Sequence, residues 1–319
     1  MTPTLPLIDM AGVRERSPLA IQRAGKAIRQ ACTDTGFFYI VNHGVPQPLI
    51  NRAMAAARQF FAYPAEVKRQ VAVNKRHRGW HALGGATMYQ ATRPDHKEFF
   101  SIGLELPEQD PCVLAGQPLR GPNQWPVFMP ELQGVLGEYY EEVGRAGADL
   151  LCAVAASLGI AEDFFVDKYH KRLQRTQMVY YPEHPAQATE DQYGVAPHTD
   201  YGCITLLYQD DSGGLQVREL GGQRWIDATP IAGSLVVNVG DLLARWSNNR
   251  FRSTLHRVIN HSGRERYSIA TFFDPTFEAR VDPCDLGIAV SDSHYEPVAA
   301  GEYILKRIDD SMAYRKALG

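Results

Sequence analysis

Apolar residues recur at helical spacing through much of the first half of the chain. Ser17 and Pro18 suit the N-cap and first turn of a helix, and the apolar positions after them keep a helical period until about Thr35. Gly144 and Gly147, inside the longest such segment, predict a close approach to a neighbouring element. The pattern predicts helices over residues 18–35, 47–61, 64–71 and 130–158, and near the C-terminus over 302–318.

The pattern changes near residue 177 to short apolar runs separated by turn residues such as Gly213-Gly214 and Gly221-Gly222. Several short strands at this spacing indicate two packed sheets. The predicted fold is therefore mainly β with flanking helices, with a helical N-terminal region and a cupin-like jelly-roll core. The predicted strands are 177–181, 204–209, 214–217, 225–227, 235–239, 254–259 and 267–273.

Composition is that of an ordinary globular chain of 319 residues, 45% hydrophobic and 22% charged. The formal net charge of -3 gives no electrostatic footprint for nucleic acid, and no apolar run approaches the roughly 20 residues of a membrane span. The first residues lack the basic and apolar regions of a signal peptide. We expect a soluble protein that binds neither nucleic acid nor membrane.

The cysteines are an odd, scattered set without a C-x-x-C motif. This argues against a disulfide framework or a zinc-cysteine site, and it favours a reducing cytoplasm. The five are Cys32, Cys112, Cys152, Cys203 and Cys284.

A candidate metal site begins at His198 and Asp200. On an extended backbone, residues i and i+2 project to one face, so both side chains can bind one ion. His256 lies in a strand-like run about 58 residues later, and a folded sheet is needed to bring it to the other two. Two histidines and one carboxylate form the facial arrangement of non-haem Fe(II) oxygenases, which leaves coordination positions open. The His-Glu-x-x-His signature common in zinc hydrolases is absent.

Arg266 and Ser268 form a second candidate site. Both lie in a strand-like run about ten residues after His256, and their i, i+2 spacing places them on one face. A guanidinium beside a hydroxyl suits a carboxylate, because the planar fork donates two charge-assisted hydrogen bonds. The alternative is a surface salt bridge, which leaves unexplained why the pair follows the third candidate ligand so closely.

Three motifs in order then resemble one known family. Residues 36–46 (GFFYIVNHGVP) are similar to its N-terminal signature, 179–182 (VYYP) to its Asn-Tyr-Tyr-Pro segment, and 246–258 (WSNNRFRSTLHRV) to the stretch that carries its last ligand. The chain thus resembles the isopenicillin N synthase-like family of Fe(II)/2-oxoglutarate-dependent oxygenases over most of its length. The resemblance implies a double-stranded β-helix core.

The resemblance also implies roles for single residues. His198, Asp200 and His256 are expected to bind Fe(II) as the catalytic centre. Arg266 and Ser268 are expected to hold the distal carboxylate of the co-substrate 2-oxoglutarate, and Tyr181 to donate a hydrogen bond to it. Val179 stands where many relatives have Asn, so a co-substrate contact from that side chain is lost.

The implied reaction is oxidation of a small-molecule substrate with O2, giving succinate and CO2. Hydroxylation is the default outcome, with desaturation or cyclisation depending on the substrate. We expect a monomer that is one catalytic unit over residues 1–319: an N-terminal helical or mixed region (1–115), the oxygenase core (172–278) and a C-terminal segment with a helix (279–319), which either covers part of the active-site mouth or only packs.

Three other functions remain open at this point. An oxidase of the isopenicillin N synthase type would use the Arg-x-Ser pair for the carboxylate of its own substrate and would not need 2-oxoglutarate. A non-catalytic metal-binding jelly roll would consume no oxygen, and a zinc hydrolase would be indifferent to both oxygen and 2-oxoglutarate.

Substrate contacts are the least defined part of the sequence. Arg93, Lys97 and Arg245 are candidates to pair with an anionic substrate, although each also suits a structural salt bridge. The wider set of pocket candidates is Trp80, Tyr89, residues 93–98, Arg245, Phe272, Phe273 and Phe277.

Overall fold

A computed structural model describes residues 4–87, 93–183 and 192–312. Most predicted helices are confirmed, with small shifts at their ends. The predicted helix over 64–71 is four residues of α-helix followed by a 3-10 turn, and the C-terminal helix ends earlier than its pattern, while residues 313–318 of that prediction lie outside the described part. The helices are α1 (Pro18–Asp34), α2 (Gln47–Ala62), α3 (Ala65–Lys68), α4 (Pro111–Leu114), α5 (Glu131–Leu158), α6 (Asp241–Trp246) and α7 (Ala300–Ser311).

Fourteen strands lie in the described residues. They are β1 (Leu7–Asp9), β2 (Phe37–Val41), β3 (Gly79–His81), β4 (Glu98–Gly103), β5 (Arg175–Tyr181), β6 (Val195–His198), β7 (Ile204–Gln209), β8 (Leu215–Arg218), β9 (Trp225–Asp227), β10 (Leu235–Val239), β11 (His256–Val258), β12 (Arg266–Phe273), β13 (Arg280–Val281) and β14 (Val298–Ala299). Seven of them match the seven predicted strands, three with the predicted bounds.

Two sheets form the core of the fold. The major sheet has the order β1-β2-β10-β7-β12-β5-β4-β3, the minor sheet the order β6-β11-β8-β9, and β13 pairs with β14 alone. Pairing is antiparallel except for β1 with β2. This arrangement confirms the predicted jelly roll with flanking helices.

The N-terminal region contributes more β structure than its helical pattern predicts. Four of the eight strands in the major sheet, β1 to β4, come from residues 7–103. Strand β2 pairs with β10, about 200 residues later, with Phe37 opposite Asn238. Strands β2, β3 and β4 are buried on both faces and so carry no alternating pattern. Strand β1 does alternate, but it has only three residues, which is too short for a pattern to be recognised.

Strand β12 of the major sheet has one face toward the helices and one toward the minor sheet. In β12, Tyr267 lies near Phe61 of α2, and Phe273 lies against α5, where a Cβ added at Gly147 would be 2.9 Å from its ring. Alternation therefore directs Arg266 and Ser268 the other way, into the space between the sheets. We call this space the chamber.

Candidate functional site

Three potential metal ligands converge at one end of the minor sheet. His198 is the last residue of β6 and pairs with His256, the first residue of β11. Asp200 lies two residues beyond β6, and its Oδ1 is 3.7 Å from the Nε2 atom of each histidine. One ligand atom from each residue lies within 4.8 Å of the other two. The sheet thus brings together the two distant parts of the predicted triad.

Both imidazoles are oriented through their second nitrogen. Nδ1 of His198 is 2.8 Å from the Ala196 carbonyl oxygen, and Nδ1 of His256 is 3.0 Å from that of Thr254. A carbonyl only accepts, so each Nδ1 carries the proton and each Nε2 keeps a lone pair for a metal. Phe37 packs edge-on against His256, with ring centroids 5.1 Å apart.

The carboxylate of Asp200 is fixed in the same way. Its Oδ2 accepts hydrogen bonds from Thr205 Oγ1 at 2.5 Å and from Asn238 Nδ2 at 2.7 Å, which leaves Oδ1 to face the histidines. Burial opposes the charge, but the two histidines and the two donors hold the pKa of Asp200 below its ordinary value. The carboxylate is therefore ionised.

His198 is neutral. Burial, together with neighbouring His256, lowers the pKa of His198 to about 3. One carboxylate and two imidazoles, with ligand atoms that lie close together, are the donor set that a divalent transition metal needs. The residues present therefore fit Fe(II).

A second carboxylate, Asp241 at the start of α6, holds the loops that carry the ligands. Its Oδ2 accepts a hydrogen bond from Thr199 Oγ1 at 3.1 Å, and its Oδ1 accepts one from Ser253 Oγ at 2.7 Å. The Asp241 backbone N–H donates to the Asp200 carbonyl at 2.7 Å. Asp241 thus connects the loops before His256 and around Asp200.

Arg266 lies fully buried on the chamber face of the major sheet. Its Nε donates to the Gly213 carbonyl at 2.7 Å, Nη1 to Ser268 Oγ at 3.2 Å and Nη2 to Gln209 Oε1 at 3.2 Å. All three acceptors are neutral. Among the described residues, no carboxylate forms an ion pair with this guanidinium.

Tyr181 is the neighbour of Arg266 on β5, and the guanidinium lies 4.7 Å from the centroid of its ring. A cation over an aromatic face keeps both groups in place. Val179 is paired with Ser268 on the same face and is buried. The expected hydrogen bond from Tyr181 to a co-substrate stays a prediction.

The structure separates the predicted pocket residues. Trp80 lies on the helix side of the sheet, where its Nε1 donates to Glu98. Phe273 packs under α5, and Arg245 contacts Tyr295 and the Glu296 carbonyl at the surface. None of these three faces the chamber.

Other pocket candidates have different surroundings. Phe277 lies against Gly301 of α7. Phe272 shares the inward face of β12 and lies under Arg175, 4.9 Å from ring centroid to guanidinium carbon. Tyr89 lies outside the described residues. Lys97 immediately precedes β4 and pairs with Asp95.

Sequence reasoning missed four residues that support the site: Thr205, Gln209, Asn238 and Asp241. Thr205 and Gln209 lie at i, i+4 spacing in the predicted strand 204–209. Asn238 is the polar residue in the otherwise apolar predicted strand 235–239. A polar side chain inside an apolar strand is a usable signal, because it must find a partner when buried. Which partner it finds depends on the pairing of distant strands.

Comparisons with known proteins agree with this geometry. Residues 5–127 match a family described as non-haem dioxygenase in morphine synthesis N-terminal, and residues 173–275 match the 2OG-Fe(II) oxygenase superfamily. A 2-oxoglutarate-Fe(II) type oxidoreductase, hxnY of Emericella nidulans, is 38% identical over 280 residues, covering 86% of this chain and 80% of the relative. The 2-oxoglutarate-dependent dioxygenase citB of Monascus ruber is 34% identical over 289 residues, 88% of each chain.

A solved structure extends the similarity to the whole fold. A full-length protein of Neurospora crassa, crystallised in complex with alpha-KG and thymine, superposes with a TM-score of 0.83 at 30% identity and covers 96% of both chains. None of the helices in the described part of the chain combines the length and the hydropathy that a membrane span requires.

Proposed function

The chain belongs to the 2-oxoglutarate-Fe(II) oxygenase superfamily, and from this premise we propose that His198, Asp200 and His256 bind the iron while Arg266 and Ser268 bind the co-substrate. The protein is an Fe(II)- and 2-oxoglutarate-dependent oxygenase of a small-molecule substrate, with O2 as oxidant and succinate and CO2 as products. The proposal concerns which residues perform each part of this activity.

One observation carries the co-substrate assignment. Arg266 is a buried cation whose protein partners are all neutral. A buried charge without a counter-charge is costly, and a carboxylate of a ligand would supply the counter-charge with charge-assisted bonds. The hydroxyl of Ser268, already 3.2 Å from the guanidinium, adds a donor for the same carboxylate.

The other residues orient and shield the reactants. The backbone carbonyls of Ala196 and Thr254 keep each Nε2 lone pair available for the metal. Thr205 and Asn238 hold one oxygen of Asp200, so the other remains the ligand atom. Fe(II), when bound, supplies the reaction with O2 and the oxidative decarboxylation of 2-oxoglutarate. Apolar neighbours such as Phe37 keep bulk water from the site.

The ligands and activities named for relatives guide the expected substrate class. The Neurospora crassa protein was crystallised with thymine, and an Arabidopsis thaliana relative, 32% identical, is a homoarginine-6-hydroxylase. We propose that this chain hydroxylates a small organic molecule. We also propose that it acts as a monomeric, single catalytic unit in the cytoplasm, which its free cysteines suit.

The first test is an anaerobic titration of the Fe(II)-loaded protein with 2-oxoglutarate, followed by the weak visible charge-transfer band of the chelate. We expect a saturable band in the wild type. In Arg266→Ala we expect 2-oxoglutarate affinity to fall by about tenfold or more, because a charge-assisted anchor contributes roughly 1.5 to 3 kcal/mol. Iron binding should be unchanged.

A nearby arginine offers a matched control. Arg264 is half-exposed and pairs with Asp211 at 2.9 Å on the surface, so Arg264→Ala should leave the titration unaltered. Equal affinities for wild type and Arg266→Ala would contradict the assignment of Arg266. Substrate oxidation without succinate formation would instead indicate an oxidase of the isopenicillin N synthase type.

A further inference from the structure

Two lysines stand on opposite faces of the same edge of the major sheet, each beside a buried carboxylate. Lys68 lies on the helix side. Its ammonium donates to Phe61 O at 3.1 Å and to the two oxygens of Glu98 at 2.8 and 2.9 Å. All three N–H groups of Lys68 are therefore used inside the protein, and this lysine is structural.

Lys97 is different in its contacts. Its ammonium lies 3.3 Å from Asp95 Oδ2, and this is its one ion pair with a described residue. The ammonium also lies 5.5 Å from the ring centroid of Phe99, a contact that uses no hydrogen bond. Its side chain keeps 12% of its surface exposed, whereas that of Asp95 is fully buried. Lys97 thus has donors left for a ligand.

The position of Lys97 follows from strand alternation. Glu98, the next residue, pairs with Tyr180 and points to the helix side, so Lys97 points into the chamber. There its positive charge helps to lower the pKa of His198, so the ammonium lies near that metal ligand. Burial disfavours the ammonium, but Asp95 and Tyr181 outweigh it and raise the pKa of Lys97. The group is a cation beside the metal site.

We propose that Lys97 binds an anionic oxygen of the prime substrate, most simply a carboxylate, and so selects acids over their neutral analogues. This rests on the proposed function, because the substrate must lie between Lys97 and the metal ligands. A charge-assisted hydrogen bond in a water-poor chamber is stronger than one to a neutral acceptor. Asp95 positions the lysine, since its other oxygen accepts the Ala196 backbone N–H at 3.0 Å.

The distal carboxylate of 2-oxoglutarate is the competing anion. Lys97 lies at the edge of β4, two strands from β12, which corresponds to roughly 9–10 Å between backbones at the usual strand spacing. Arg266, with Ser268 and Gln209 beside it, already forms a complete site on β12. Tyr181 belongs to β5, the strand between β4 and β12, and its ring lies beside Arg266. The prime substrate therefore fits Lys97 better than the co-substrate does.

The test measures binding to the anaerobic Fe(II)–2-oxoglutarate complex by calorimetry. The probes are a panel of small aliphatic, aromatic and heteroaromatic carboxylic acids, each with its primary amide. In the wild type we expect at least one acid to bind about tenfold or more tightly than its amide. Lys97→Met should abolish this preference, and Lys97→Arg should keep part of it.

Two controls separate a ligand contact from a structural one. Lys68→Met also removes a buried lysine, and it should lower the melting temperature without changing the preference for acids. If Lys97→Met fails to fold because Asp95 loses its partner, the double variant Asp95→Asn/Lys97→Met removes both charges and keeps an acceptor for Ala196.

The outcomes distinguish the two proposals. Without a charge-transfer band in the wild type, the proposed function itself fails. With the band present, equal binding of acids and amides, binding of neither class at low millimolar concentration, or an undiminished preference in Lys97→Met each overturns the role of Lys97. A loss of 2-oxoglutarate affinity of about tenfold in Lys97→Met would overturn it as well, because Lys97 would then serve the co-substrate.

Discussion

Arg307 of the C-terminal helix α7 donates a hydrogen bond from Nη1 to Asp241 Oδ2 at 2.6 Å. The same carboxylate holds the loops of the metal ligands through Thr199 and Ser253. Arg307 also lies 4.4 Å from the ring centroid of Tyr201, next in the chain to Asp200. The sequence left two roles open for this helix, packing alone or covering the site. These contacts favour a role beyond packing, because they connect α7 to the loops that carry the metal ligands.

We therefore expect Arg307→Met to weaken Fe(II) binding by roughly 3- to 10-fold, less than the 10- to 100-fold typical of groups bonded directly to a ligand. Arg307→Lys should restore part of the affinity. The measurement is an anaerobic Fe(II) titration with thermal unfolding alongside. Arg52→Met, which breaks an exposed pair with Glu138, should change neither quantity; an unchanged Fe(II) affinity in Arg307→Met would limit α7 to packing.

Thr205→Val tests the fixed oxygen of Asp200. It removes the 2.5 Å hydrogen bond to Oδ2 while keeping the shape of the side chain, so Fe(II) affinity should fall by about 10-fold or more. Thr271→Val is a matched control, because Thr271 is also buried in the major sheet but bonds to Thr176 on the helix side. The control should lose stability only. Equal Fe(II) affinities in the two variants would argue against the role given to Thr205.

Gly240→Ala should disturb the site through the backbone. A Cβ at Gly240 would lie 2.2 Å from the Gly202 carbonyl oxygen and 3.1 Å from that of Asp200, so the loop must shift. We expect a loss of about 1 to 3 kcal/mol in unfolding free energy together with weaker Fe(II) binding. At Gly137, in the second turn of α5, nothing lies within 4 Å of an added Cβ.

Gly137→Ala should therefore stabilise the protein by about 0.5 to 1 kcal/mol, because alanine favours the helix. Chemical denaturation of both variants checks the pair. If the unfolding free energy changed in the same direction in both variants, the close packing at Gly240 would be contradicted.

His81 predicts a loss of stability in acid. It is buried and stacks on Phe99 with ring centroids 3.9 Å apart. Burial, and then the charge of Lys97, lower the pKa of His81 to about 3 from 6.5. The folded state disfavours the proton, so this contribution to stability is complete above pH 6.5 and is lost as the pH falls toward 3. At pH 5 the loss is about 2 kcal/mol.

His81→Phe keeps the stacked ring and removes the titration. Urea unfolding at pH 7.5 and pH 5 should show a drop in the wild type that exceeds the drop in the variant by about 2 kcal/mol. The comparison uses only the change in unfolding free energy between the two pH values. A change in packing that is the same at both pH values therefore cancels. Equal drops would contradict a neutral, buried His81.

The sequence predicted the parts of the molecule that local patterns control. The i, i+2 spacing of His198 and Asp200 and of Arg266 and Ser268 needs only an extended backbone. The pairing of His256 with His198 was inferred only as a need for a folded sheet, since no local pattern carries strand register over 58 residues.

The parts that local patterns do not control were missed or wrong. Trp80 was among the pocket candidates, but alternation along β3 directs its side chain to the other face of the sheet, where it donates to Glu98. Thr205 and Asn238 support Asp200 from two different strands, and their meeting depends on the order of those strands in the sheet. Such facts belong to the tertiary structure alone.

The two sheets divide the proposed active site between them. His198 and His256 belong to the minor sheet and Arg266 to the major one, so a bound 2-oxo acid would span the gap with its two ends on different sheets. The distance between the sheets then limits the number of carbons that can separate the two carboxylates of the ligand. Homologues of 2-oxoglutarate that are one carbon shorter or longer should therefore bind more weakly, because their length does not match this distance. Their two ends carry the same groups as those of 2-oxoglutarate.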